Sequence, residues 1–183
     1  MKTLKLYLSL LALLAAGTLA GCSNRSSTRA VDVSGSIRTS LDQAGLKDVT
    51  VTQDRDKSVV TLGGHVATDG DKGQAESIAK SMAGIQVVAN QIAVLPSGAE
   101  NDAKKVNSDL DKGIGSNLHA ALIQEKLQDT VKYSVKNNVV TLTGDVDSES
   151  KRGQAQEVAA TVPNVQQVVN ELQVKAQKAT SSN

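Results

Sequence analysis

The chain has 183 residues, with 20 Lys and Arg against 19 Asp and Glu, and it contains neither Trp nor Phe. This near balance of charge argues against a nucleic-acid-binding protein, because such proteins need a concentrated basic surface that displaces counterions. The single cysteine excludes an internal disulfide and any multi-cysteine metal site.

The amino terminus has the pattern of a secretory leader over residues 1–21. Lys2 and Lys5 supply positive charge, an apolar run follows over 6–16, and small residues lead to the end of the segment. The apolar run is shorter than the roughly 20 residues that a membrane-spanning helix needs. We therefore expect this segment to be removed from the mature protein.

The leader ends in Leu19-Ala20-Gly21-Cys22, which resembles the lipobox of bacterial lipoproteins. The resemblance implies that the thiol of Cys22 is acylated and that residues 22–30 form a lipidated tether to a membrane. The residue after the cysteine is Ser23. An Asp at this position resembles an inner-membrane retention signal, so the Ser favours the periplasmic face of the outer membrane. The alternative is an ordinary leader with a chance cysteine at its end.

The rest of the chain is a tandem repeat. An offset of 80 aligns residues 51–94 with 131–174 without a gap, and 15 of the 44 columns are identical. Repeats at a fixed spacing are typical of duplicated structural units. The sequence therefore predicts two copies of one small domain.

Each copy is predicted to contain a helix, a β-hairpin, a second helix and a last strand. The opening helices place Val33, Ile37, Leu41 and Leu46, and at an offset of 81 Ile114, Leu118, Leu122 and Leu127, on one face. Alternating residues at 59–66 and 139–146 indicate half-buried strands. Thr68 and Ser148 are suited to begin the second helices as N-caps.

These patterns predict an α+β fold, with two tandem α-β-β-α-β domains, each a three-stranded mixed sheet packed by two helices. The domains are predicted at 31–95 and 109–175, with a Pro- and Gly-containing linker at 96–108 and a disordered tail at 176–183. A domain of this size buries only about 60% of its unfolded surface. Such marginal burial favours contact between the two copies.

The pattern Val-Val-Thr-Leu-x-Gly-x-Val in the second strand, a Gln-Ala-x-x-x-Ala helix and Val-x-Asn-x-Leu/Ile-x-Val in the last strand resemble the BON domain of bacterial envelope proteins. Two such copies behind a lipobox resemble the dual-BON outer-membrane lipoproteins. The resemblance implies a non-enzymatic role in envelope integrity and stress tolerance, with anionic phospholipid or outer-membrane proteins as partners. A periplasmic chaperone-like adaptor, induced by osmotic or envelope stress, is the alternative.

The sequence offers one candidate contact surface for lipid or a partner. Residues 31–96 carry 6 basic and 8 acidic side chains, and residues 109–175 carry 7 and 9, so neither copy is polybasic. Ala120, Ile123 and Lys126 are predicted to lie opposite the buried face of the third helix. The alternative is that Ile123 is an isolated exposed apolar residue without a function.

No catalytic, metal or cofactor site is predicted. His65 and His119 have no histidine at the equivalent position of the other copy, and we interpret both as surface residues. Asp69 begins a segment that superficially suggests a calcium loop, but Lys80 stands where a bidentate Glu is required. The sequence therefore predicts a protein that is not an enzyme and needs no cofactor.

Two pairs of residues shared by the copies are interpreted as folding devices. Gly64 and Gly144 lie within strands, which indicates a bulge or a close backbone approach. Asn90 and Asn170 lie on the apolar side of the last strand and need buried hydrogen-bond partners.

Overall fold

The computed structural model describes residues 29–175. The predicted leader, Cys22, most of the tether and the tail at 176–183 lie outside the described residues. Within residues 29–175 the helices and strands follow the predicted order twice, which confirms an α+β fold built from two tandem repeats.

Each copy contains two helices and four short strands. The first comprises α1 (Ser34–Gln43), β1 (Val49–Asp54), β2 (Val59–Val66), α2 (Asp69–Ala83), β3 (Val87–Asn90) and β4 (Ala93–Val94). The second comprises α3 (Glu100–Gln124), β5 (Val131–Lys136), β6 (Val139–Val146), α4 (Glu149–Ala160), β7 (Gln167–Asn170) and β8 (Gln173–Val174).

The two sheets have the same mixed topology. β1 pairs antiparallel with β2, and β3 and β4 both pair parallel with β2, one after the other along its length. The predicted third strand is therefore interrupted at Gln91 and Ile92. The interruption has a local cause, because the side-chain oxygen of Asn90 accepts a hydrogen bond from the Ile92 backbone N–H at 3.3 Å.

A separate hydrophobic core lies between the helices and the sheet of each copy. In the first core, Ile37 and Leu41 of α1 meet Val60 and Leu62 of β2 and are fully buried. The second core repeats this arrangement with the equivalent residues of α3 and β6. The predicted caps are also present, since the hydroxyls of Thr68 and Ser148 each accept a backbone N–H from the first turn of their helix.

The connection between the copies differs from the predicted linker at 96–108. Helix α3 begins at Glu100, so the non-helical connection is confined to the few residues around Pro96 and Gly98. Glu100 and Asp102 in the first helical turn favour this extension, because carboxylates stabilise the positive end of the helix dipole. The second domain therefore opens with a helix of 25 residues, whose first half is largely exposed.

Candidate functional site

The structure gives a position to each residue that was excluded from catalysis on the basis of the sequence. His65 and His119 are both exposed, and the His119 ring lies 6.4 Å from that of Tyr133. Asp69 is in the first turn of α2 rather than in a loop. Among residues 29–175, no group of three or more His, Cys, Asp or Glu side chains is arranged to hold a metal ion.

The candidate contact residues Ala120, Ile123 and Lys126 are all exposed at the carboxyl end of α3. Ile123 is 49% exposed, whereas its neighbour Leu122 is buried in the core. Lys126 lies in the turn that follows the helix and has a left-handed conformation, with a φ of 56°. The structure thus brings the three residues to one helix end, with Ile123 as the exposed apolar side chain and a lysine beside it.

Asn90 and Asn170 occupy equivalent polar niches between the last strand and the second helix. The Asn90 amide donates to the Lys72 carbonyl oxygen at 3.3 Å and to the Glu76 carboxylate at 2.9 Å. The hydrogen bond from Asn90 and the neighbouring Lys80 lower the pKa of Glu76. Asn170 repeats the pattern with the Arg152 carbonyl and the Gln156 side chain, each at 3.1 Å. These contacts fix the strand to the helix, as expected for a folding device.

The two copies meet through the sheet faces that point away from the helices. Val59, Ala89, Val139 and Val169 form one buried apolar cluster between the domains. Val59 occupies the same column of the repeat as Val139, and Ala89 the same column as Val169. The copies therefore associate through the same surface, as the subunits of a two-fold symmetric dimer do.

Polar contacts around the cluster follow the same approximate symmetry. The Lys57 ammonium lies 2.6 Å from the Glu171 carboxylate, which raises the pKa of Lys57. At the equivalent positions, the Asn137 side chain donates to the Gln91 carbonyl oxygen at 2.7 Å.

A third polar contact has no counterpart in the other copy. The Gln167 side chain donates to the Val88 carbonyl at 2.7 Å and accepts from the Asn90 backbone N–H at 3.0 Å. The Gln167 side chain thereby pairs with backbone hydrogen-bonding groups at the edge of β3, as a neighbouring strand would.

Val169→Asp is expected to separate the two domains without unfolding either of them. Val169 is 1% exposed within the apolar cluster, where an unpaired carboxylate is strongly disfavoured. Undocking returns that carboxylate to water, so the cost is limited to the free energy of docking. Calorimetry should then resolve two unfolding transitions, whereas we expect one for the native chain.

The matched control is Val106→Asp, on an exposed part of α3. Val106 is 57% exposed, so this variant should retain one transition. A single transition in both variants would contradict the predicted separation of the domains.

An apolar groove at the edge of the first domain was not predicted from the sequence. A groove of about 500 Å³ lies between the segment before α1 and the turn that follows α2, and it is lined by Arg29, Val31, Val33, Met82 and Ile85 among others. Ile85 is 100% exposed and Val31 is 75% exposed. The signal was present in the repeat alignment, because the column of Val31 holds Lys112 in the second copy.

Comparison with known proteins gives the family. The BON domain model matches twice, at residues 29–96 and 110–176. The chain is 28% identical over 137 residues to osmotically-inducible protein Y of Escherichia coli, an alignment that covers 74% of this chain and 67% of the relative.

Solved structures were also matched. A structural protein of the type III secretion system of Chlamydia trachomatis, CdsD, aligns over 79% of this chain and 93% of its own, with 15% identity and a TM-score of 0.34. A structure of the C-terminal domain of CdsD gives 14% identity, a TM-score of 0.35, and coverage of 79% of this chain and 98% of its own. Because the BON domain model matches both repeats and most of the chain, the protein belongs to the BON-domain family.

Proposed function

We propose that this chain is a non-enzymatic lipoprotein of the bacterial envelope, anchored by acyl chains on Cys22 to the periplasmic face of the outer membrane. Its two BON domains contact phospholipid or envelope proteins and support the integrity of the membrane under osmotic stress. The observation that carries the proposal is the occurrence of two BON domains directly behind a lipobox-like sequence that ends in Cys22. The name of the relative, osmotically-inducible protein Y, supports the link to osmotic stress.

Anionic phospholipid is the first ligand to test. The exposed end of α3 offers Ile123 for the acyl-chain boundary and Lys126 for the phosphate group. The proposed contact uses a single lysine and a single apolar side chain. A broad basic surface is not available, because each domain carries a net charge of −2. Among residues 29–175, no helix combines the length and the apolar character that are needed to cross a bilayer.

The test is co-sedimentation of the protein lacking residues 1–22 with neutral and with anionic vesicles. We expect enrichment on the anionic vesicles, and a several-fold loss of it in Ile123→Asp. Val106→Asp is the matched control, because Val106 is an exposed aliphatic residue on the same helix. Equal recovery on both kinds of vesicle would remove anionic phospholipid from the proposal.

A periplasmic chaperone-like adaptor is the second candidate. The net charge of −2 on each domain favours it, because acidic modules gain little from an anionic membrane surface. Exposed apolar groups would then hold a client protein, and the lipid would only determine location. Suppressed aggregation of a client without any vesicle binding would select this function.

A further inference from the structure

The apolar groove of the first domain is built into the fold. The Gln53 side chain donates to the Val31 carbonyl oxygen at 2.7 Å, and the Gln86 side chain donates to the same oxygen at 3.2 Å. Val33 and Met82 pack partly on the core and form the base of the groove. Val31 is therefore held at the rim by specific contacts, one of which comes from Gln86, the chain neighbour of Ile85.

The second copy shows that the fold does not require this exposure. Val165 stands in the column of Ile85, but it packs against the core of its own domain. Lys112 stands in the column of Val31, and its side chain is 75% exposed. Because both copies fold in the same way, the exposed apolar rim is a property of the first copy alone.

The groove also lies where the chain leaves the predicted anchor. Arg29, the first described residue, lines the groove and follows Cys22 by seven positions. Seven residues span at most about 25 Å when fully extended. If Cys22 is acylated, the groove is thus kept within that distance of the bilayer surface.

Arg29 supplies the polar part of the same surface. Its guanidinium lies 3.1 Å from the Asp56 carboxylate, and both side chains are mostly exposed, at 61% and 72%. An exposed ion pair of this kind contributes little to stability. The guanidinium is therefore free to exchange this partner for a phosphate group, which it can bind through two parallel hydrogen bonds.

We infer that the groove rim is a membrane-seating surface, whose occupant is the bilayer that carries the anchor. Ile85 and Val31 enter the boundary between headgroups and acyl chains, and Arg29 meets the lipid phosphates. The inference rests on the proposed lipid anchoring and extends it, because it places the first domain, rather than only α3 of the second, against the membrane.

The chain contains no Trp, so a single introduced Trp reports on its own surroundings without background. Ile85→Trp and, as a matched control, Val106→Trp are purified with the anchor and mixed with vesicles of phosphatidylcholine, with or without phosphatidylglycerol. Both substituted side chains are exposed, so neither change disturbs a core. The readouts are flotation with the vesicles, the wavelength of maximal emission, and quenching by lipids brominated on the acyl chain.

We expect both variants to float, with a shift to shorter wavelength and acyl-chain quenching only for Ile85→Trp. Flotation of both variants with unchanged emission of Ile85→Trp would overturn the membrane-seating surface and leave the lipid anchor intact. Absence of flotation would overturn both the surface and the proposed function. In the protein lacking residues 1–22, Ile85→Glu should weaken vesicle binding about tenfold, since burial of one aliphatic side chain supports a change of this size. An unchanged affinity would overturn the membrane-seating surface.

Discussion

Gly64→Ala is expected to unfold the first domain, and Gly144→Ala the second. Gly64 has a φ of +81° and Gly144 a φ of +123°, and a Cβ at either position would lie well under 3.0 Å from a backbone carbonyl oxygen, of Asp48 and Thr130 respectively. Strand pairing holds the Gly64 backbone and the Asp48 carbonyl oxygen in place, because Gly64 lies opposite Val49, the residue after Asp48, in the β1–β2 ladder. Neither the clash nor the dihedral angle can relax without disruption of the hairpin.

The expected loss is about 2–6 kcal/mol, since a strained backbone residue and an overpacked contact cost about 1–3 kcal/mol each. A domain of this length has a total stability of a similar size. The measurement is thermal or urea unfolding followed by far-ultraviolet circular dichroism. Loss of a folded domain should remove about half of the cooperative signal.

Gly73→Ala is the matched control for this prediction. Gly73 lies within α2, and a Cβ there would meet nothing within 4 Å. This substitution should stabilise the helix by about 0.5–1 kcal/mol, since Ala has the higher helix propensity. If Gly64→Ala were as stable as Gly73→Ala, the close approach between the strands would not exist in solution.

The fold could be predicted from the sequence because the duplication makes each weak signal appear twice. Asn90 alone is a polar residue in an apolar strand, but together with Asn170 it indicates a shared structural role, and both do fix the strand to the helix. The same reasoning identified Gly64 and Gly144. Local periodicity was sufficient for these elements because each core lies within one copy.

The start of α3 could not be predicted because its usual signals are absent. Ala99 is the N-cap residue and makes no side-chain capping hydrogen bond. Pro96 and Gly98, which precede it, are typical of linkers. The acidic residues of the first turn were the remaining signal, and they are equally common in exposed loops.

Contact between the copies was expected from their small size, but the residues of the interface were not predicted, for a different reason. Val59 and Val60 are consecutive apolar residues, which breaks the alternation expected of a strand with one exposed face. Val60 belongs to the core of its domain, and Val59 belongs to the cluster between the domains. The available signal was therefore that β2 begins with apolar residues on both of its faces. This signal does not identify the surface that covers the second face.

The groove rim was missed because single exposed apolar residues are common on protein surfaces. Ile85 forms an apolar surface only together with Val31, which is 54 positions earlier in the chain. The fold brings the two together through the glutamine contacts to the Val31 carbonyl. Such convergence of distant residues is not visible in local periodicity.

Cys22→Ala is expected to abolish attachment of the protein to the membrane in its own host. The lipobox-like sequence implies that the sulfur of Cys22 carries the acyl chains, and a methyl side chain cannot accept them. Each buried methylene contributes about 0.8 kcal/mol to membrane binding, so two or more acyl chains give stable anchoring where one gives marginal anchoring. The contacts proposed for Ile85 and Ile123 bury far less apolar surface and should not retain the protein by themselves.

The measurement combines membrane fractionation with the intact mass of the purified protein, and Ser23→Ala is the control that leaves the acceptor in place. Wild type and Ser23→Ala should show the mass of an acylated Cys22 and remain with the outer membrane, whereas Cys22→Ala should be recovered from the soluble fraction. An unacylated, soluble wild-type protein would refute the lipoprotein proposal and favour the freely diffusing chaperone-like adaptor. Retention of Cys22→Ala at the membrane, with an intact mass that shows the leader removed, would instead mean that the BON domains bind the membrane without the anchor.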